Sequence, residues 1–123
     1  MKMTLLAKSL TLPPRATFRS AIEKLNATRL GTLLVTEKNG KLSGIITDRD
    51  VRKAILDRKS LRTPVAQIMN GSFAACLTTE SKRKVKSKLK KLVRLQMPIV
   101  DKAGKLVDVV FMLESFYGKK IVP

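Results

Sequence analysis

A threonine, two aspartates and two arginines crowd into Thr47-Asp48-Arg49-Asp50-Val51-Arg52, directly after Gly44-Ile45-Ile46. The apolar pair reads as the end of a strand, and the residues that follow read as the start of a helix. Such a junction turns unpaired backbone N–H groups toward solvent, an arrangement that suits an anion. Thr47 is placed to cap the helix or to bond a phosphate oxygen. Asp50, one turn in, is placed to accept hydrogen bonds from two neighbouring hydroxyls, and Arg49 and Arg52 supply positive charge. Together these groups suit a nucleotide. The same residues also make an ordinary capped junction, with the aspartates favouring the helix dipole. The stretch by itself leaves both readings open.

The elements that must position this stretch follow from pattern. Residues 1–8 read as a polar lead-in, and Ser9 to Leu12 as a short strand stopped by Pro13-Pro14. Ala21, Ile22 and Leu25 share one helical face behind Thr17 as N-cap. Gly31 to Thr36 and Lys41 to Thr47 read as strands joined by Glu37-Lys38-Asn39-Gly40, since Asn-Gly is a hairpin signal. Asp48 to Asp57 follows as a helix with Val51, Ile55 and Leu56 inward. The stretch 59–71, interrupted by Pro64 and without a Gly/Ser run, reads as a packed connector. A strand at Phe73 to Leu77, a helix at Ser81 to Arg94, strands at Gln96 to Val100 and Lys105 to Met112, and a last helix from Leu113 to Tyr117 complete the chain.

Composition narrows the chemistry. The chain has 123 residues and is 44% hydrophobic, enough for one compact unit or two very small ones sharing a core. No apolar run approaches a membrane span, and residues 1–7 lack the apolar stretch of a signal peptide, so a cytoplasmic setting is the expectation. Histidine is absent, which removes imidazole acid–base chemistry, Ser-His triads and His-based zinc sites. Cys76 is the single cysteine and sits in an apolar strand, where a core thiol is the simpler reading than a nucleophile. Asp48 and Asp50 beside two arginines are a poor metal site, so no metal is expected. The net charge of +17 is spread along the chain, with +9 on residues 1–64 and +8 on residues 65–123, and it favours anionic partners.

The second half repeats the first at an offset of 64. Lys38-Asn39-Gly40-Lys41-Leu42 overlays Lys102-Ala103-Gly104-Lys105-Leu106, and Thr17, Arg19, Ala21 and Leu25 fall on Ser81, Arg83, Val85 and Leu89. Each half is too small to cover its own sheet, so the two must pack together, leaving equivalent clefts between them. This tandem unit, carrying Gly44-Ile45-Ile46-Thr47-Asp48-Arg49-Asp50, resembles the CBS domain pair, named after cystathionine beta-synthase. The likeness runs from about residue 9 to 117. It implies an α+β fold of two β-α-β-β-α repeats related by a pseudo-twofold axis. The corresponding boundaries are a lead-in at 1–8, a first repeat with connector at 9–71, a second repeat at 72–117, and a linker start at 118–123.

The resemblance implies a regulatory, non-enzymatic segment that binds an adenine nucleotide (AMP or ATP) or S-adenosylmethionine. Thr47 would contact phosphate and Asp50 the ribose hydroxyls, with Gly44, Arg49 and Arg52 around them and Leu12, Leu34 and Val35 flanking the base. It also implies a homodimer. Thr47 to Arg52, Ser60-Leu61, Pro64-Val65, Ile68-Met69-Asn70 and Gln96 to Asp101 look like the pair that precedes sugar-phosphate nucleotidyltransferase domains, which makes a following catalytic domain the expectation. In the second repeat, Gly44, Thr47 and Asp50 become Asp108, Phe111 and Glu114. Phe111 has no group for phosphate, so the first repeat holds the one intact candidate site.

Residues 82–94 carry eight basic side chains and no acidic one. Nucleic acid is one partner for such a face; a solvated surface, or an acidic surface of another domain, is the plainer alternative. Phe116 and Tyr117 read as a cover for the core edge or for an interface.

Overall fold

The computed structural model describes the backbone of residues 2–91, 95–115 and 118–122, with side chains through Met112. In chain order the elements are α1 (Leu5–Ser9), β1 (Thr11–Leu12), α2 (Phe18–Thr28), β2 (Thr32–Thr36), β3 (Leu42–Thr47), α3 (Asp48–Leu56), a 3-10 turn at Val65–Gln67, β4 (Cys76–Leu77), α4 (Lys82–Lys91), β5 (Gln96–Val100), β6 (Leu106–Ser115) and β7 (Gly118–Val122). They form two sheets, β1-β2-β3 and β4-β5-β6-β7, in an α+β arrangement. In each, the short first strand runs parallel to the second, and the second pairs with the third as an antiparallel hairpin.

The repeat is literal in the register. Leu12 lies opposite Val35 and Cys76 opposite Ile99; Thr32 lies opposite Thr47 and Gln96 opposite Phe111. The register shifts at Val35/Thr36 and again at Ile99/Val100. Thr17 accepts the Ser20 N–H at 3.1 Å, and Ser81 accepts the Lys84 N–H at 3.2 Å. Every one of these pairs is separated by 64 residues. The pseudo-axis passes between Lys41 and Lys105, which face each other in an antiparallel bridge. The Leu42 N–H donates to the Gly104 carbonyl and the Leu106 N–H to the Gly40 carbonyl, both at 3.0 Å. Gly40 and Gly104 sit at φ +91° and +82°, values that the two turns require and that other residues resist.

Each sheet has one face toward the other repeat. Leu34, Leu42 and Ile45 meet Leu106, Val109 and Phe111 there, closed by Ala7 and Leu10. The opposite faces carry the helices. Leu12, Leu33, Val35 and Ile46 pack on Ala21, Leu25 and Val65, while Met97, Met112 and Cys76 pack on Val85 and Leu89.

Three local expectations are corrected. The lead-in is helical over Leu5–Ser9: Thr4 caps α1, its N–H donates to the Val107 carbonyl at 2.8 Å, and its hydroxyl donates to Asp108 at 2.8 Å. On α3 the inward residues are Val51 and Ala54, while Ile55 and Leu56 are 58% and 82% exposed. Ala54 is the residue that fits against Phe18 and Ile68. The helix expected from Leu113 is absent over 113–115, because β6 continues to Ser115 and pairs with β7, Met112 lying opposite Ile121. So short a segment before Gly118 forms a costly helix nucleus, whereas extending the strand adds ladder bonds immediately. Residues 92–94, Phe116 and Tyr117 lie outside the described residues.

Burial pushes the Cys76 thiol up from 9.0 to about 11, with a hydrogen bond to Glu80 adding to the effect. The folded state thus keeps a proton that the unfolded chain releases above pH 9. Its stabilising contribution is complete below pH 9 and falls away as pH rises toward 11. A soluble disulfide reagent at pH 8 should react with Cys76 about a hundredfold more slowly than in denaturant, and Cys76→Ala should remove the alkaline slope attributable to the thiol. Because the inter-repeat core is shared, Leu106→Ala should cost about 3 kcal/mol. It should lower one common denaturation midpoint in circular dichroism and hydrogen exchange; separate melting of the halves would refute the shared core.

Candidate functional site

β3 ends and α3 begins at Thr47, whose backbone is still extended at φ −122° and ψ 175°. Its N–H donates to Asp50 Oδ2 at 2.8 Å, and its hydroxyl donates to the same oxygen at 3.0 Å. Sequence spacing thus brings these two side chains into direct contact. Both are half-buried. The hydroxyl has one proton and gives it to Asp50, so toward a ligand it offers lone pairs unless it rotates. Asp50 Oδ1 makes no hydrogen bond among the described residues, leaving an acceptor free for hydroxyl donors. Asp48, Arg49 and Arg52 are exposed on the first turns of α3, and neither arginine forms an ion pair among the described residues.

Beside this junction a shallow cleft of about 360 Å³ is lined by Ile22, Leu25, Asn26, Arg29, Asp48 and Val51. Antiparallel pairing of β2 with β3 places the end of α2 next to the start of α3, so Arg29 and Asn26 join the site from a distant part of the sequence. Arg29 closes α2 in the left-handed region at φ 60°, two residues before Gly31. The Gly31 signal for a helix stop was readable; the proximity of Arg29 to Asp48 was not.

The remaining residues read from sequence have other positions. Leu34 and Val35 are fully buried on opposite faces of β2, Leu34 in the inter-repeat core and Val35 beneath α2, so neither is available to flank a base. Strand alternation sends one to each core. Leu12 lines a separate cleft of about 490 Å³ with Pro13, Pro14, Arg15 and Thr36, Glu37 and Lys38. It lies opposite Val35, three ladder rows from the Thr32–Thr47 row, so the structure does not bring it to Thr47. Gly44 is buried, and a Cβ there would stand 2.5 Å from the Met69 sulfur and 2.7 Å from Met69 Cγ. Its small size admits the connector, which is also held by reciprocal bonds between Ile45 and Asn70.

In the second repeat, Phe111 is 4% exposed within the shared core. Asp108 Oδ1 accepts from the Thr4 hydroxyl and from the Val109 N–H, each at 2.8 Å, so this carboxylate secures α1. The Glu114 side chain lies outside the described residues. Among the described residues, no group of three or more metal-ligating side chains gathers, and no helix is long and apolar enough to cross a membrane.

Residues 5–57 match the family model of the CBS domain. The chain is 39% identical over 71 residues to a CBS domain-containing protein of Arabidopsis thaliana, covering 56% of this chain and 13% of that protein. It is 28% identical over 107 residues to an arabinose 5-phosphate isomerase of Shigella flexneri, covering 87% of this chain and 33% of the isomerase. The chain thus spans a third or less of these curated relatives. Its fold resembles that of a CBS domain protein from Pyrobaculum aerophilum complexed with AMP, with a TM-score of 0.72, 23% identity, and 86% of each chain covered.

The Gly44 contact separates packing from ligand binding. Gly44→Ala should destabilise the fold by about 1–3 kcal/mol, measured by urea denaturation, and Met69→Ala in the same chain should recover part of that loss. A loss unaffected by Met69→Ala would place the constraint elsewhere.

Proposed function

From a chain whose residues 5–57 match the CBS domain model, we propose a regulatory module that binds an adenine nucleotide at the β3–α3 junction of its first repeat. The observation that carries this reading is the Thr47–Asp50 pair: a half-buried carboxylate, held through one oxygen, with its other oxygen open. Asp50 Oδ1 accepts from the ribose hydroxyls. Arg49, Arg52 and the first-turn N–H groups of α3 attract the phosphate, and Thr47 turns its hydroxyl from Asp50 to a phosphate oxygen. Arg29 and Asn26, across the adjoining cleft, contact the remainder of the ligand. Phe111 in the core supports one site per chain.

The nucleotide shifts the packing of the two repeats across their shared core, and an attached or associated enzyme responds. The 28% identity to a sugar-phosphate isomerase supports a sugar-phosphate enzyme as that partner. The resemblance of residues 47–52, 60–61, 64–65, 68–70 and 96–101 to the pair that precedes sugar-phosphate nucleotidyltransferase domains favours a nucleotidyltransferase as that enzyme. The exposed Ile55 and Leu56 support association of two copies.

Isothermal titration with AMP, ATP and S-adenosylmethionine tests the reading. At least one should bind, and Asp50→Ala should weaken it by tenfold or more, about 1.4 kcal/mol, while Asp50→Asn should preserve the fold by circular dichroism. No heat with any of the three would refute it, as would undiminished affinity in folded Asp50 variants.

A further inference from the structure

α2 and α4 occupy equivalent places, which makes each a control for the other. Their buried anchors correspond: Ala21 and Leu25 in α2, Val85 and Leu89 in α4. The remaining positions diverge. Phe18, Ser20, Ile22, Asn26 and Ala27 of α2 correspond to Lys82, Lys84, Lys86, Lys90 and Lys91 of α4. Phe18 is buried against Ala54 and Ile68 with Ile22 beside it, because α3 covers that flank. The second repeat continues into β7 where the first has α3, so no helix among the described residues covers this flank of α4, and Lys82 and Lys86 are exposed there.

An open flank requires polar residues; it does not require cations. Yet Lys82, Arg83, Lys84, Lys86, Lys90 and Lys91 are all exposed, with Ser87 as the one uncharged member of the outer face. Among the described residues of this helix, Lys88 alone is neutralised, by Glu80 at 3.2 Å. Lys82/Lys86 and Lys86/Lys90 are like-charged neighbours one turn apart, and each pair weakens the helix by a few tenths of a kcal/mol. The fold accepts that loss at positions where α2 does without it.

We infer that the outer face of α4 is a docking surface for the phosphodiester backbone of a nucleic acid duplex. The chemistry favours this partner over other anions. A protein interface needs apolar or aromatic anchors and is depleted in lysine. A membrane-surface helix needs an apolar face for the lipid, and the apolar stripe of α4 is committed to the core. The outer face has no aromatic to stack unpaired bases. Lysines act as point charges on phosphate without base readout, and the ten residues of α4 make a rod about 15 Å long. RNA and DNA share this backbone.

Fluorescence anisotropy of the full chain with a labelled 20-base-pair DNA, and with the matching RNA duplex, tests the inference at 50 to 200 mM salt. Binding to at least one should weaken steeply with salt. R83E/K86E/K90E should reduce affinity at 50 mM salt by tenfold or more and flatten the log–log salt slope by about 2.7. K86E sets a carboxylate one turn from Lys82 while positions 86 and 90 repel one another as before, so circular dichroism should show the fold retained; R83Q/K86Q/K90Q repeats the test without new negative charge. K8E/K59E/K102E, with the same net charge as the Glu variant, should change affinity less than threefold. The inference fails if neither duplex binds, if the two sets of reversals lose affinity equally, or if polyglutamate or phosphatidylserine vesicles bind α4 more tightly than both duplexes.

Discussion

Each three-strand unit of this chain has an apolar face that its own helices leave bare. Leu34, Leu42 and Ile45 on one sheet, and Leu106, Val109 and Phe111 on the other, leave water only by meeting. At about 25 cal/mol per Å² of apolar surface, this mutual coverage is what makes two small repeats one stable body. The reciprocal hydrogen bonds between Leu42 and Gly104, and between Leu106 and Gly40, set the two units in register at the axis. The core is also completed by α1, which Thr4 pins to Asp108 and Val107, so residues ahead of the first strand belong to the folded unit.

Within that frame the repeats have gone different ways. Thr47 and Asp50 remain polar and half-buried at the first junction, while their second-repeat counterpart Phe111 faces the core. Asp108, the counterpart of Gly44, has become an anchor for α1, and Gly44 itself makes room for Met69. The β3–α3 junction of the first repeat thus keeps polar side chains, whereas the corresponding positions of the second repeat are bound into the core and α1. The same asymmetry reaches the helices. α3 covers one flank of α2, no helix among the described residues covers the same flank of α4, and that flank is cationic. The Thr47–Asp50 junction and the charged surface thus sit on different repeats of one shared core.

Sequence alone determined the tandem repeat, the strand–helix order from β1 through β6, the helix caps at Thr17 and Ser81, the adjacency of Thr47 and Asp50, and the excess of positive charge on 82–91. These are local quantities: periodicity 2 or 3.6, turn residues at fixed offsets, and side chains three residues apart at a helix start. Tertiary structure alone decided which face each apolar residue serves. Leu34 and Val35 are indistinguishable in sequence, yet one lies between the repeats and the other beneath α2. Gly44 reads as part of a ligand motif until Met69, 25 residues away, is found against it. Arg29 stands out in no sequence pattern, and only the hairpin brings it to the cleft beside Asp48. The helix expected from Leu113 gives way over 113–115 to the end of β6, because so short a segment has no period of its own and its state depends on whether a partner strand arrives to pair with it. Local chemistry is written in neighbouring residues; burial, contact and exposure depend on which distant segments arrive, and one short chain does not spell that out in order.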